Sequence, residues 1–336
     1  MRHYRSTDKR IRTLLDWPSM LMTFTVCLLC WSTGYIYSIG FPLTVGSAVV
    51  SFWEVLCKLL NHRIVLYVTG LLLLALTAFI MQRISDIEML IRERTRLPFI
   101  LFILLMSTNA GLLPFREVSV VILCLVFVVY ELFNSYQLPE ATGKMFNAGV
   151  LIGTAGLFMP QVLWFVPLLW IGMYQFRSLS FRSFMASLVG LLIIYWFVLA
   201  WCVWKHDFSM FKSLYSSLAD FDLFSIATSF QYYQISFIGV VLLLMAALFH
   251  IKMNAFNNSV RVRQMHSFLL NMSVWSLIFI FLYGNFADSF FAILYLSGSV
   301  SIAYFFESMR NRFRFILYYL ALVLCAVSFI MQVWNF

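Results

Sequence analysis

Charged residues are scarce in this sequence. They make up 11% of its 336 residues, whereas 62% are hydrophobic and the mean hydropathy is +0.90. A soluble protein of this length needs a charged surface, and so little charge could not cover one. The scarcity excludes a soluble globular protein and indicates a protein whose solvent is a lipid bilayer.

Alternating polarity is also absent. Strands of a membrane β-barrel show segments of about ten residues in which apolar and polar side chains alternate. The runs LYVTGLLLLALTAFIM and FIGVVLLLMAALF show no such alternation. Because backbone polar groups in hydrocarbon must be satisfied within the protein, the remaining solution is a bundle of helices. We therefore expect an all-α, polytopic membrane protein.

Familiar catalytic and metal-binding motifs are missing too. The sequence contains no P-loop, no HExxH, no GxSxG and no Cys/His metal spacing. It shows no convincing internal repeat, which weakens an inverted-repeat transporter. Ionisable groups are nearly absent inside the apolar runs, which weakens an ion-coupled pump. The six cysteines lie mostly inside these runs, which argues against redox chemistry.

The hydrophobic runs predict about eleven membrane-spanning helices in one integral membrane domain, residues 1–336. Residues 1–18 form a basic cytoplasmic tail that resembles the flank of a signal anchor, and we expect it to be retained. The predicted spans are 19–38, 64–82, 98–114, 118–134, 146–158, 161–176, 184–204, 233–251, 267–283, 289–306 and 315–333.

Lysine and arginine are distributed unevenly between the two sides that these spans define. With a cytoplasmic N-terminus, most of the 23 cations fall on inner segments, as the positive-inside rule requires. The C-terminus then lies at the outer face. The net charge of +9 is spread over topological anchors that meet lipid heads, so it does not indicate a nucleic-acid partner. The lysines and arginines that fall on outer segments are Lys58, Arg63, Arg116, Lys205 and Lys212.

The stretch MFNAGVLIGTAGLFMPQVLWFVPLLWIGMYQFRS, residues 145–178, is too long for one comfortable crossing. If it formed a single span, Arg261 and the Arg310–Arg314 cluster would lie outside, against the charge bias. We therefore predict two short helices that turn at Met159 and Pro160 on the outer face. Proline suits the first turn of a helix, where its missing N–H costs little.

Small residues mark one face of the first short helix. Gly149, Gly153 and Gly156 are spaced so that they share a face, which lets a neighbouring backbone approach closely. Such a face suits a helix that is buried among others, and packing alone is sufficient reason for it.

Two outer segments are long enough to build a site, residues 39–63 and 205–232. The first contains the amphipathic stretch SFWEVLCKLL. In the second, apolar residues from Phe208 to Leu218 share a face at helical spacing while the charges lie elsewhere. We expect both segments to carry helices that lie along the membrane interface.

The outer segments also hold a group of carboxylates, and the motif PFREV places Arg116 beside Glu117 in a tight turn. Such a pair can simply neutralise itself. Alternatively, Arg116 holds a phosphate bidentately while a nearby carboxylate serves as base or metal ligand. The outer carboxylates are Glu54, Glu117, Asp207, Asp220, Asp222 and Asp288.

The segment KMFNAGVLIGTAGLFMPQVLWFVPLLWIGMYQFRS, with the following FRSFMASLVGLLIIYWF, combines a small-residue helix, a turn with proline, a short second helix and a basic inner loop. This pattern resembles the middle of an uncharacterised family of bacterial polytopic membrane proteins. It is also similar to the GT-C glycosyltransferases and lipid-linked-sugar transferases. The resemblance is specific over residues 144–200 and architectural elsewhere.

GT-C enzymes move a sugar from a polyprenyl phosphate to an acceptor on the outer face, and a carboxylate of their first outer loop acts as base or metal ligand. The resemblance therefore implies a GT-C-like bundle in the bacterial inner membrane, with a polyprenyl-phosphate-linked substrate. Residues 38–53 contain no acidic residue, so Glu54 is the only carboxylate of that loop.

Two hypotheses of different class follow. In the first, the chain is a membrane transferase with Glu54 or Glu117 as base and Arg116 as phosphate ligand, while His206 and Asp207 line the entry. The sequence does not identify a cofactor, and the resemblance suggests a divalent cation. In the second, the chain is a non-catalytic scaffold or accessory subunit with a decayed GT-C-like fold and membrane-protein partners. Transport is the weakest alternative.

Overall fold

The structure, a computed structural model, describes residues 17–38, 62–91, 95–206, 208–219, 226–253, 258–308 and 311–335. These residues form α-helices, three short 3₁₀ helices and no β-strand, so the expected all-α architecture is confirmed. The α-helices are α1 Trp17–Ser38, α2 Arg63–Ile87, α3 Leu97–Ser107, α4 Glu117–Asn134, α5 Thr142–Phe158, α6 Val166–Gln175, α7 Phe181–Lys205, α8 Ser209–Ala219, α9 Ile226–Met253, α10 Val260–Leu282, α11 Ala287–Ser308 and α12 Asn311–Asn335. The 3₁₀ helices are Ala110–Leu112, Pro160–Phe165 and Gly284–Phe286.

Six helices within the described residues are long and apolar enough to cross a bilayer: α1, α2, α4, α7, α10 and α11. Shorter apolar stretches lie in α3, α9 and α12. Large apolar side chains are exposed along α7, among them Leu192, Phe197 and Trp201. A surface of this kind is stable against lipid and not against water. The chain is therefore an α-helical membrane protein.

The described turns and helix termini lie at two ends of the bundle. At one end, which we call the basic end, contacts join the C-termini of α2, α4, α6, α9 and α11 to the N-termini of α5, α7 and α10. These contacts are Glu88–Arg261 (2.5 Å), Ser135–Ser178 (3.2 Å), Lys144–Asn134 (2.5 Å), Glu140–Arg182 (3.4 Å), Arg261–Tyr136 (5.6 Å to the ring), Ser308–His250 (3.2 Å) and Asn258–Tyr304 (2.6 Å).

The opposite end, which we call the Arg116 end, joins the other helix termini. The contacts there are Arg63–Ser38, Phe115–Leu66 (3.0 Å), Ala110–Gln332 (3.1 Å), Arg116–Asp288 (3.8 Å), Trp164–Tyr283 (2.9 Å) and Gln161–Ser217 (3.3 Å). Apart from the short α8, the helices therefore run alternately between the two ends. Helix α1 begins at the basic end and α12 finishes at the Arg116 end.

Helices α5 and α6 form the predicted hairpin. The chain leaves the basic end in α5, turns at Met159 and returns through the 3₁₀ helix Pro160–Phe165 and α6. Both ends of the segment meet, because the N–H of Gln137 donates to the carbonyl of Phe176 at 2.9 Å. The prediction of two short helices with a turn at Met159 and Pro160 is thus confirmed.

Helix α5 packs against α7 through glycine on both sides. A Cβ at Gly149 would overlap the carbonyl of Ser187 and lie 3.1 Å from the backbone nitrogen of Leu191. A Cβ at Gly190 would likewise overlap the carbonyl of Phe146. The predicted close approach of a neighbouring backbone is confirmed at Gly149, whereas the atoms nearest to a Cβ at Gly156 belong to the side chains of Tyr195 and Leu163.

Helix α11 lies at the centre of the bundle. Almost all its side chains are buried, and it packs against α3, α9 and α10. Small hydroxyl residues support the close packing, since Ser297 of α11 bonds Ser273 of α10 at 2.8 Å. This central position places the first turn of α11, including Asp288, in the middle of the Arg116 end.

Several predicted boundaries differ from the structure; α10, for example, begins at Val260 and not at residue 267. Helix α3 ends at Ser107 and not near residue 114, because the side chain of Asn109 accepts the N–H of Gly111 at 3.0 Å and starts a 3₁₀ turn. Helix α9 begins at Ile226, before the predicted start at 233. In the second outer segment, α8 supplies the helix expected there. The stretch SFWEVLCKLL of the first lies outside the described residues.

Candidate functional site

The turn between α3 and α4 is held against α2. The N–H of Phe115 donates to the carbonyl of Leu66 at 3.0 Å. Gly70 makes room for the turn, because a Cβ there would lie 2.8 Å from the carbonyl oxygen of Leu113 and 2.9 Å from the nitrogen of Phe115. The backbone that carries Arg116, the residue just before α4, is therefore fixed by a neighbouring helix.

Arg116 meets two carboxylates from different helices. Its Nη2 lies 3.6 Å from Oε1 of Glu117, and its Nη1 lies 3.8 Å from Oδ2 of Asp288. Its closest polar contact is the carbonyl of Gly111, at 3.3 Å. Since charge-assisted hydrogen bonds usually measure about 2.7–2.9 Å, neither carboxylate holds the guanidinium tightly.

Two amide side chains complete this site. Asn109 donates to Oδ1 of Asp288 at 3.2 Å, and Gln332 of α12 accepts the N–H of Ala110 at 3.1 Å. Gln332 is buried, with 1% of its surface exposed. The site therefore joins the α3–α4 turn, α11 and α12. We call it the Arg116 cluster, and its members are Asn109, Gly111, Arg116, Glu117, Asp288 and Gln332.

Several polar atoms of the Arg116 cluster are buried without a hydrogen-bond partner: Nε of Arg116, Oε2 of Glu117 and Nε2 of Gln332. Buried polar groups are normally satisfied, so such atoms point to a bound water, ion or ligand. The cluster is not sealed, because the side chains of Arg116 and Asp288 are 23% and 22% exposed. A small polar group could reach both residues from outside.

Helix dipoles contribute to the charge balance of the cluster. Glu117 lies in the first turn of α4 and Asp288 in the first turn of α11. A helix N-terminus carries roughly half a positive charge, so each carboxylate is stabilised where it stands. One guanidinium and two helix N-termini therefore face two carboxylates, and the cluster is close to neutral.

Chemically, the Arg116 cluster can accept a proton and can donate hydrogen bonds to an anion. Asp288 is the more accessible of the two carboxylates, since Glu117 is only 6% exposed. Among the described residues, no group of three or more His, Cys, Asp or Glu side chains is arranged to hold a metal ion. Glu117 and Asp288 are the described carboxylates that a cation at this site would meet.

The structure brings only part of the predicted site together. Arg116 and Glu117 are in contact. His206 ends α7 in a left-handed conformation (φ 53°), exposed, and is not a member of the Arg116 cluster. Glu54 and Asp207 lie outside the described residues.

The sequence pattern does not identify Asp288, Asn109 and Gln332 as site residues. The available signal was Asp288 itself, an acidic residue at the start of an apolar run and among the predicted outer carboxylates. Nothing in the sequence pairs Asp288 with Asn109, which lies 179 residues away.

A second polar contact at the Arg116 end holds α8. The Nε1 of Trp164 donates to the hydroxyl of Tyr283 at 2.9 Å, and that hydroxyl donates to the carbonyl of Leu218 at 2.6 Å. Gln161 donates to the carbonyl of Ser217 at 3.3 Å. Helix α8 is thus fixed to the hairpin turn and to the end of α10, just before Asp288 in the sequence.

A buried carboxylate also lies at the basic end. Glu88, with 6% of its side chain exposed, pairs with Arg261 at 2.5 Å. Burial raises the pKa of Glu88 above its ordinary value, and the attraction of Arg261 only partly offsets this. The pair joins the end of α2 to the start of α10.

No family model, curated protein or solved structure matches this chain.

Proposed function

We propose that this chain crosses the bacterial inner membrane eleven times and acts at its outer face on a polyprenyl-phosphate-linked substrate, as a GT-C-type transferase. The alternating course of the helices supports eleven crossings, with the α5–α6 hairpin counted as two. The positive-inside rule supports an outer position for the Arg116 end, because the described turns and helix ends of the opposite end carry Arg96, Lys144, Arg177, Arg182 and Arg261.

The observation that carries this proposal is the Arg116 cluster itself. Arg116 and Glu117, which are neighbours in the chain, meet Asp288 from a distant helix. The guanidinium keeps an unpaired Nε, and both of its ion pairs are long. An arginine with an unpaired nitrogen and only long ion pairs can donate hydrogen bonds to a phosphate oxygen.

The proposed reaction assigns one role to each charged group. The carboxylate of Asp288 takes the proton of an acceptor hydroxyl as that oxygen attacks the anomeric carbon of the sugar. The bond from this carbon to the phosphate oxygen breaks, and the electron pair leaves with the polyprenyl phosphate. Arg116 stabilises the charge that develops on the departing phosphate. Glu117 and Asn109 orient Arg116 and Asp288 respectively.

A non-catalytic scaffold is the second candidate, and the charge balance of the cluster favours it. Two carboxylates and two helix N-termini around one arginine already form a nearly neutral assembly that can join α4 to α11 without any ligand. In this function the Arg116 cluster would stabilise the end of the bundle, and the exposed faces would bind other membrane proteins.

Lipid binding and genetic complementation together separate these candidates. Native mass spectrometry of the purified full-length protein would compare undecaprenyl phosphate with undecaprenol, which lacks the phosphate. We expect selective binding of the phosphate, weakened about tenfold in Arg116→Gln because a charge-assisted contact is lost. Arg182→Gln, whose side chain is 75% exposed at the basic end, is the matched control and should bind as the wild type does.

These two variants and Asp288→Asn would then be expressed in a strain that lacks the gene. A transferase requires that Asp288→Asn, at normal protein level, fails to restore the lipid-linked sugar pattern of the wild type. Full restoration by Asp288→Asn, together with equal binding of the two lipids, would exclude the transferase and favour the scaffold.

A further inference from the structure

A groove runs along the basic end between α1, α2 and α3, far from the Arg116 cluster. It consists of two adjoining cavities of about 310 Å³ and about 460 Å³, which share Arg96 and Phe99 in their walls. Ligand pockets commonly enclose about 300–1,000 Å³, so each cavity is of useful size. We call the two cavities together the Arg96 groove.

The first cavity is almost entirely apolar. Phe24 and Cys27 of α1 face Ile100 and Ile103 of α3 across it. Phe24 is 62% exposed, so this wall opens sideways toward the surroundings of the bundle. In a membrane protein those surroundings are lipid tails, and an apolar channel that opens to them suits a hydrocarbon chain.

The second cavity is polar. It is lined by Gln82, Arg83 and Asp86 of α2 and by Thr95 and Arg96 before α3. Both arginines are exposed, and the guanidinium of Arg83 lies 5.4 Å from the ring centre of Phe79, which supports it from below. Asp86 is engaged by the amide of Gln82 at 2.9 Å. Two cations therefore face one carboxylate that already has a partner.

Thr95 provides independent evidence for a ligand. Its side chain is among the walls of the polar cavity and is 7% exposed, yet its Oγ1 has no hydrogen-bond partner. The neighbouring Gln82 is satisfied, since its amide also donates to the carbonyl of Thr95 at 2.7 Å and its oxygen accepts the N–H of Phe99 at 3.4 Å. A buried hydroxyl without a partner, in the wall of a cavity that two arginines also line, fits a bound oxygen acceptor.

The start of α3 also favours a bound anion at this place. Arg96 is the residue just before the helix, and Pro98 lies in its first turn. The N-terminus of a helix carries a positive partial charge, which favours an anion. Helix α3 therefore begins where the apolar channel meets the polar cavity.

We propose that the Arg96 groove binds one anionic phospholipid from the membrane leaflet at the basic end. Arg83, Arg96 and the hydroxyl of Thr95 bind its phosphate, and one acyl chain lies in the apolar cavity between α1 and α3. Arginine provides the hydrogen-bond geometry that phosphate oxygens require. The site is distinct from the proposed reaction centre, and it would hold the end of α1 to α3 whether or not the chain is an enzyme.

Native mass spectrometry of the full-length protein with added phosphatidylglycerol tests this site. We expect one lipid to bind more tightly than any others, and its apparent Kd to rise about tenfold or more in the Arg83→Gln, Arg96→Gln double variant, since each arginine near a lipid head contributes to the attraction. Both side chains are exposed, so the double variant should fold normally, which a thermal unfolding curve would verify. Arg182→Gln removes an exposed charge at the same end and should leave binding unchanged.

Two further comparisons separate the contribution of the lipid head group from that of the acyl chain. Ile103→Phe narrows the apolar cavity without touching the arginines, and it should also weaken phosphatidylglycerol binding. Glycerol 3-phosphate, which lacks the chain, should not compete with the bound lipid. Equal binding of phosphatidylcholine, competition by glycerol 3-phosphate, or loss of the lipid in Arg182→Gln to the same extent as in the double variant would each overturn the proposal.

Discussion

At the scale of the residue, single glycines decide how closely α5 and α7 can approach. A methyl group at Gly149 would overlap the carbonyl of Ser187, whereas Gly143 of the same helix has nothing within 4 Å of the position of a Cβ. The first glycine is required by a backbone contact and the second is not. The pair therefore forms a matched test within one helix.

We predict that Gly149→Ala lowers the free energy of unfolding by about 1–3 kcal/mol, because the two helices must separate. Gly143→Ala should leave stability unchanged or raise it by up to about 1 kcal/mol, since alanine is the better helix former. Thermal unfolding of the two variants in one detergent measures the difference. Equal melting temperatures would mean that α5 and α7 do not pack through Gly149.

Gly153 should respond less to a small side chain. A Cβ there would lie 3.2 Å from Cγ1 of Ile194, a side chain that can move, and 3.3 Å from the carbonyl oxygen of Leu191, which is a much smaller overlap than the one at Gly149. Gly153→Leu, by contrast, needs several further atoms in the same space and should destabilise the bundle by overpacking. The stripe was readable from glycine spacing alone, but its partner helix was not, because spacing does not say which backbone is near.

Glu88 gives the protein a predicted pH dependence. Burial raises its pKa in the folded protein, so the folded state holds this proton to a higher pH than the unfolded state does. The free energy of unfolding should therefore fall as the pH rises from about 4.3, the ordinary glutamate value, through the raised pKa. In Glu88→Gln this fall should be absent.

The check is the difference in stability between Glu88→Gln and the wild type, followed from about pH 4 to about pH 7 in detergent. We expect the stability of Glu88→Gln relative to the wild type to increase as the pH rises. A difference that stays constant, or that moves the other way, would mean that the attraction of Arg261 outweighs the burial of Glu88.

At the scale of the element, the hairpin of α5 and α6 was predictable because two independent signals agreed. The length of the apolar stretch and Pro160 favoured a break, and the distribution of later arginines required an even number of crossings. The early end of α3 was not predictable with the same means. It depends on the side chain of Asn109, whose bond to Gly111 competes with continued helix.

Helix α8 is held in part by the hydroxyl of one tyrosine. The hydroxyl of Tyr283 accepts a hydrogen bond from Trp164 and donates one to Leu218. We predict that Tyr283→Phe destabilises this contact by about 1 kcal/mol and speeds amide hydrogen exchange across Ser209–Ala219.

Tyr174→Phe is the control, because Tyr174 is 76% exposed and its hydroxyl is available to solvent. Exchange within α8 should stay at the wild-type rate in this variant. Unchanged exchange in Tyr283→Phe as well would show that α8 is held by its apolar contacts, such as the buried Leu214, and not by the hydroxyl.

At the scale of the whole molecule, the bundle has two chemically different ends. One end carries many cations in its described turns and helix ends, and the other carries the Arg116 cluster, in which each charge has an opposite charge beside it. The first difference follows from sequence alone, since Lys and Arg positions can be counted along the chain. The second does not, because Asp288 reaches Arg116 only through the central position of α11.

Only part of the candidate site could be predicted from the sequence. Arg116 and Glu117 are neighbours in the chain, so their pairing needed no tertiary information. Helix packing alone brings Asn109 and Gln332 to the same turn, and both are uncharged residues without a motif. Sequence patterns identify the faces and ends of helices. Contacts between residues that are far apart in the chain become visible only in the packed bundle.

Eleven crossings, with the α5–α6 hairpin entering and leaving on one side, form the central claim of this account. Cysteine labelling in intact cells tests it most directly, with Glu140→Cys, Arg182→Cys and Lys212→Cys each placed in a chain whose six native cysteines are replaced by serine. The side chains of Glu140 and Arg182 are 76% and 75% exposed, and Lys212 is exposed at the other end.

We predict that a membrane-impermeant maleimide labels position 212 in intact cells and labels positions 140 and 182 only after the membrane is opened. This result would place both ends of the hairpin inside and the Arg116 end outside. Labelling of 140 and 182 from opposite sides would contradict the hairpin, and labelling of 212 only in opened cells would contradict the outer position of the Arg116 cluster.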